Sequence, residues 1–106
     1  MMPPEVTAKP TIATTHNAVS VVFSGRLVGV LFDHTPPVLT DAHTGQHVDY
    51  TLDEVLTDVW QAESPMVGGR IDSQVTLMAT GLQLGQRLGL RYPVDFDTTA
   101  DCEIQL

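Results

Sequence analysis

The sequence predicts a small α+β domain that is mainly β. We expect antiparallel sheets in a small sandwich or a partly open barrel, with one amphipathic helix packed against them. Apolar and polar residues alternate with period two over residues 82–96 and again over 19–24, as in strands with one buried face. Residues 52–63 show the helical period instead. The 106 residues correspond to one domain.

The composition excludes several classes of protein. With 42% hydrophobic and 17% charged residues, the chain has enough apolar surface to fold. Acidic residues outnumber basic ones 13 to 5, and the net charge of −8 argues against nucleic acids and anionic membranes as partners. We expect no transmembrane segment, because no apolar run is long enough. We also expect no signal peptide, because residues 1–5 lack a basic and an apolar region.

Residues 1–17 are predicted to form an extended or flexible arm, followed by a single β-rich domain over residues 18–106. Pro3, Pro4 and Pro10, with several threonines, favour extended backbone and leave few groups to bury. Such a segment is either a frayed terminus or an arm that becomes ordered on a neighbouring subunit.

The body of the domain is predicted to begin with two strands. Residues 19–24 alternate as a half-buried strand, and Gly25-Arg26 is predicted as a tight turn. Residues 27–32 are apolar on both faces, as in a central strand covered on both sides. Pro36 and Pro37 end it, because neither proline can donate to a sheet.

A second hairpin and the helix are predicted to follow. Residues 38–40 and 47–51 flank the turn residues Thr44-Gly45. Thr51 and Glu54 have the spacing of a helix capping box. The predicted helix has one apolar face, made of Leu52, Val55, Leu56, Val59 and Trp60.

The longest alternating stretch covers residues 82–96. Its even positions are apolar except for Gln86, and we expect Leu84 and Leu88 to face the core together. Two arrangements fit: a hairpin with a three-residue loop at residues 85–87, or one long bent strand. Two shorter strands complete the prediction, at residues 75–80 and 102–106.

The odd face of this stretch supplies the predicted interaction residues, which are Gly85, Arg87, Gly89 and Arg91. The two arginines either pair with carboxylates of the same chain or contact another chain. The two glycines leave little side-chain cover, so another backbone could approach closely there.

The histidines offer an alternative metal site. His43 and His47 have the spacing of a metal-binding pair, and His34 is the third candidate ligand. A two-residue hairpin loop would place His43 and His47 on opposite faces, whereas a three-residue loop would pair them. We expect exposed turn histidines, and therefore no metal.

Motifs for catalysis or cofactor binding are not found in the sequence. No Gly-x-Ser-x-Gly nucleophile motif accompanies the serines, and no glycine-rich phosphate loop is present. The single cysteine, Cys102, excludes an internal disulfide and a cysteine-based zinc site. We therefore predict no catalytic residues and no cofactor.

The sequence favours a non-enzymatic structural or interaction module in a larger, oligomeric assembly, for example a component of a virus or phage particle. Its partners would be other protein subunits, including copies of itself, and the arm would contact neighbours. One alternative is a small metal-dependent enzyme or metal-binding protein that uses His34, His43 and His47. Another is an acidic inhibitor of a basic target.

Overall fold

The computed structural model describes residues 3–56 and 72–106. Within these ranges the protein is mainly β with one short helix, and its antiparallel strands form two packed sheets that do not close into a barrel. The predicted fold class is therefore confirmed, and the arrangement is the sandwich rather than the barrel.

The larger sheet has five strands and the smaller sheet has three. β3 and β6 pair at the centre of the larger sheet, β5 lies beyond β6, and β1 and β2 both pair with the other side of β3. The smaller sheet has the order β4-β7-β8. In chain order the elements are β1 (Glu5–Val6), β2 (Thr11–Thr14), β3 (Val19–Arg26), α1 (Val28–His34), β4 (Val38–Asp41), β5 (Thr51–Leu56), β6 (Asp72–Ala79), β7 (Arg87–Pro93) and β8 (Thr99–Gln105).

The core lies between the two sheets and is joined to α1 by aromatic contacts. The ring of Phe23 on β3 lies 4.9 Å from that of Phe32 on α1 and 5.1 Å from that of Tyr92 on β7. Such tilted and edge-to-face contacts stabilise a core beyond the burial of area alone. The inward residues of β3 and β6 complete this layer, and they are Val19, Val21, Val75, Leu77 and Ala79.

The strand predicted over residues 27–32 is wrong, because this segment is the helix α1. Leu27 has a φ of 51°, a left-handed conformation that turns the chain out of β3. Val28 and Leu31 then face the core, whereas Val30 is half exposed. A short apolar run fits a buried strand and a buried helix equally well, so the sequence pattern could not decide between them.

The predicted turn at Gly25-Arg26 is wrong, since β3 continues through both residues. Within residues 3–56 and 72–106, the helix that the structure describes is too short to cross a membrane.

The helix predicted over residues 52–63 is wrong in its first half. Thr51–Leu56 is the strand β5, which pairs antiparallel with β6 so that Leu52 lies opposite Leu77. The predicted capping box does not form, and the carboxylate of Glu54 instead contacts Gly29 on α1. Pairing with β6 overrides the local helical period. The remainder of the predicted helix, with Val59 and Trp60, lies outside the described residues.

The predicted hairpin around Thr44-Gly45 forms with a longer loop than expected. Thr40 pairs with His47, and the Asp41 N–H donates to the Gln46 carbonyl at 2.8 Å, so four residues lie in the loop. Neither the two-residue nor the three-residue loop occurs. The segment after His47 does not continue as one strand, since β5 begins at Thr51 in the other sheet.

The stretch over residues 82–96 is neither the predicted hairpin nor one long strand. β7 is its only strand, and it pairs with β4 and β8. Leu88 is fully buried, as predicted, but Leu84 is 77% exposed, so its inward placement is wrong. Gly81 and Gly85 have φ values of 72° and 87°, which turn the chain before the strand begins.

The amino-terminal segment lies extended against its own chain. β1 pairs with the end of β3, with Glu5 opposite Arg26, and β2 pairs with its beginning, with Thr14 opposite Val19. Residues 5–6 and 11–14 thus form part of the larger sheet. Contact of this segment with a neighbouring subunit stays a prediction.

Candidate functional site: the outer face of the three-stranded sheet

The predicted interaction residues lie at the outer face of the β4-β7-β8 sheet. Arg87 and Arg91 are exposed and Gly89 is partly exposed, whereas Leu88 and Leu90 between them are buried. Strand geometry explains this, because alternate residues point to opposite faces. Gly85 lies just outside the strand, in the turn that leads into β7.

The neighbouring strands add residues that the sequence did not indicate as interaction residues. Register places Val38 on one side of Arg91 and Asp101 on the other. Thr40 and Glu103 flank Gly89 in the same way. The alternation of polar residues over 99–105 could have indicated that Asp101 and Glu103 share one face of a strand. It places them at this site only when the pairing of β8 with β7 is known.

Both arginines pair with carboxylates of the same chain. Arg91 Nε lies 2.9 Å from Asp101 Oδ1, and Arg87 Nε lies 3.3 Å from Glu103 Oε1. The hydrogen bond between Arg91 and Asp101 raises the pKa of the guanidinium and lowers the pKa of the carboxyl group. These side chains are largely exposed, so the pairs add little stability and mainly order the face.

A shallow hollow of about 390 Å³ lies beside the Arg91–Asp101 pair, with Gly89 among its lining residues. Val38 and Thr40 line one side, and Arg91 and Asp101 line the other. A Cβ atom at Gly89 would lie 3.2 Å from Thr40 Oγ1, so any side chain at this position would begin to fill the space. A partner in this hollow would therefore meet the backbone of Gly89 and the partly exposed Val38, beside the fixed opposite charges of Arg91 and Asp101.

A second hollow of about 330 Å³ lies at the end of the face, where Asp41, Gln86 and Arg87 line it. Asp41 Oδ1 accepts the N–H of His43 at 2.8 Å, and Asp41 Oδ2 accepts Gln86 Nε2 at 2.8 Å. Hydrogen bonds from the Thr44 N–H, Gln86 and the His43 N–H lower the pKa of Asp41. This carboxylate joins two turns and is not poised to accept a proton.

The three candidate metal ligands lie in different surroundings. The His34 ring lies 4.8 Å from that of Phe96, at the end of α1. His43 lies in the four-residue loop and His47 pairs with Thr40 beyond it, so the two do not face each other. Across residues 3–56 and 72–106, no three His, Cys, Asp or Glu side chains are grouped to hold a metal ion. The structure gives the histidine alternative no support.

The surroundings of Ser73 and Cys102 do not activate either side chain as a nucleophile. The buried Ser73 hydroxyl accepts the N–H of Val28 at 3.1 Å, which fixes the start of α1 on β6. Partial burial, and to a lesser extent the charge of Asp101, raise the pKa of the Cys102 thiol. A raised pKa disfavours the reactive thiolate.

Comparison with protein-family models, curated proteins and solved structures found no match.

Proposed function

We propose that the protein is a non-enzymatic structural subunit of an assembly that contains further copies of the chain. Its outer face on the three-stranded sheet contacts a neighbouring subunit. The observation that carries this proposal is the hollow beside Gly89, bordered by the Arg91–Asp101 ion pair and by Val38. A glycine in a strand marks a place where another backbone can approach closely.

The chemistry of the face suits a protein partner. Protein interfaces combine an apolar centre with a polar rim, and here the partly exposed Val38 lies beside the Arg91–Asp101 ion pair. Charges of both signs in fixed positions favour one orientation of the partner. A partner could insert a small apolar side chain over Gly89 and place its polar groups on the ion pairs.

A virus or phage particle is the setting that we propose for this assembly. Its repeating shells use one small subunit many times, and a β-rich domain with an extended amino-terminal segment suits that use. The partners are then other protein subunits, identical or different.

Substitution of Gly89 tests the proposal. We expect Gly89→Val, and more weakly Gly89→Ala, to reduce self-association of the full chain, because the added side chain fills the hollow. The measurement is light scattering after size exclusion over a wide range of concentration, with circular dichroism and thermal melting to verify folding. Ser20→Val is the matched control, since it adds the same side chain at an outward position of β3.

The result has two clear forms. Association that falls for both Gly89 variants, while Ser20→Val behaves like the unmodified chain, supports the proposed contact. Folded Gly89 variants that associate as strongly as the unmodified chain would overturn it, and so would a chain that stays monomeric throughout.

A further inference from the structure

The five-stranded sheet ends in two edges of different character. Within the part of the chain that the structure describes, β2 and β5 are each paired on one side only. The outer edge of β1 is already occupied, because the Val6 N–H donates to the Val94 carbonyl at 2.8 Å. Among residues 3–56 and 72–106, the open edges of this sheet are therefore β2 at one end and β5 at the other.

The backbone of β2 presents unpaired groups on its outer side. The Thr15 N–H donates to the Ala18 carbonyl at 2.9 Å, in continuation of the register between β2 and β3. Hydrogen-bonded pairs alternate along an antiparallel ladder, so the N–H groups of Ile12 and Thr14 point away from β3. The side chains of β2 are all exposed, so nothing from the described residues covers this edge.

The two edges differ in charge. Residues 6–32 contain no acidic residue, although the whole chain has 13. Lys9, just before β2, is exposed. On β5, Asp53 and Glu54 are exposed, and neither has an arginine or lysine partner among the described residues.

We propose that copies of this chain join head to tail, with β2 of one copy adding to β5 of the next and continuing the five-stranded sheet. This inference rests on the proposed function, because it assumes an assembly of copies, and it names the edges that join them. Main-chain hydrogen bonds supply the attraction, as in other cases of strand addition. Lys9 approaches the exposed Asp53 of β5 and favours this pairing over others.

Other edge pairings are less favourable. Two β5 strands would bring Asp53 and Glu54 of one copy against those of another, and like charges across strands are destabilising. β8 is a further acidic edge, but Asp101 and Glu103 are already paired with arginines of their own sheet. A contact between unlike edges does not close on two copies, so it generates a ring or a filament.

Thr14→Pro tests the β2 edge. Proline removes an N–H that points outward, and proline is tolerated on edge strands, so the fold should persist. We expect the association constant to fall by about tenfold or more, because a hydrogen bond is lost and the ring obstructs the added strand. Sedimentation velocity measures this, and Thr14→Ala, which keeps the N–H, is the matched control.

Asp53→Lys tests the β5 edge, with Asp97→Lys as a control that makes the same charge change at an exposed residue away from both edges. We expect Asp53→Lys to weaken association and Asp97→Lys to leave it unchanged. A mixture of Thr14→Pro and Asp53→Lys chains retains one intact edge on each partner. With Gly89→Val added to both chains, which removes the proposed contact through the outer face, this mixture should form one-to-one dimers that do not grow further.

The outcomes separate this inference from the proposed function. Folded Thr14→Pro and Asp53→Lys chains that still associate normally overturn the edge pairing, and sensitivity to Gly89→Val would then leave the proposed function standing. Equal loss of association in Asp53→Lys and Asp97→Lys would also overturn it. If the unmodified chain never associates, both fail.

Discussion

Arg26 is a buried charge, with 5% of the residue exposed, at the end of β3. Its Nη1 donates to the Pro3 carbonyl at 3.0 Å and pairs with Glu5 Oε1 at 3.0 Å, while Nε has no partner among the described residues. A buried cation is costly unless acceptors surround it. The pairing therefore ties the amino-terminal segment to the sheet.

Glu5→Ala should destabilise the fold more than the removal of an exposed acid. It leaves Arg26 buried with one acceptor fewer, and we expect the free energy of unfolding to fall by about 1–3 kcal/mol. Glu103→Ala, which breaks the exposed pair with Arg87, should cost less than about 1 kcal/mol. Urea unfolding compares the two variants. Equal losses would contradict the structural role of Arg26.

Asp41 makes stability depend on pH at the acidic end. Hydrogen bonds lower its pKa in the folded state below the ordinary value of 3.8. The ionised carboxylate therefore contributes fully to the stability of the folded state above pH 3.8. The contribution is lost as the pH falls through the lower folded pKa. We expect the melting temperature of Asp41→Asn to fall less steeply than that of the unmodified chain as the pH drops below 3.8. Parallel curves would contradict this.

At the scale of elements, the junction between β3 and α1 depends on one left-handed residue. Leu27 has φ 51° and ψ 42°, a conformation that costs about 1 kcal/mol for a residue with a Cβ atom. We therefore expect Leu27→Gly to be more stable than Leu27→Ala by about 1 kcal/mol, which reverses the usual order. Thermal unfolding of the two variants decides this. An alanine variant that is as stable as the glycine variant would contradict a left-handed conformation at residue 27.

Elements were predictable where local pattern alone determines the burial of a face. Strict alternation located β3 and the inward residues Leu88 and Leu90, and the same parity placed Arg87 and Arg91 outward. Local pattern fails for α1, because an apolar run suits a helix and a strand alike.

Features that depend on distant pairing were not predictable. β5 is a strand because β6 lies beside it, and nothing in the spacing of residues 51–56 encodes that neighbour. Likewise Val38 and Asp101 belong to the candidate site only through the registers of β4 and β8 with β7. Only the residues of the face that lie on β7 could therefore be predicted from the sequence.

For the whole molecule, charge is distributed unevenly. Residues 1–32 carry one acidic and two basic side chains, so the excess acid of a chain with net charge −8 lies after them. Unlike charges at opposite edges favour ordered head-to-tail contacts over random association, since charge complementarity mainly determines specificity. Inhibition of a basic target by this acidic surface stays a prediction.

Sedimentation velocity of the unmodified chain, over a wide range of concentration, tests the central claim most directly. If the protein is a subunit that joins copies of itself, the average mass should rise with concentration above the 11.5 kDa of one chain. A single species of that mass at every concentration would contradict the claim.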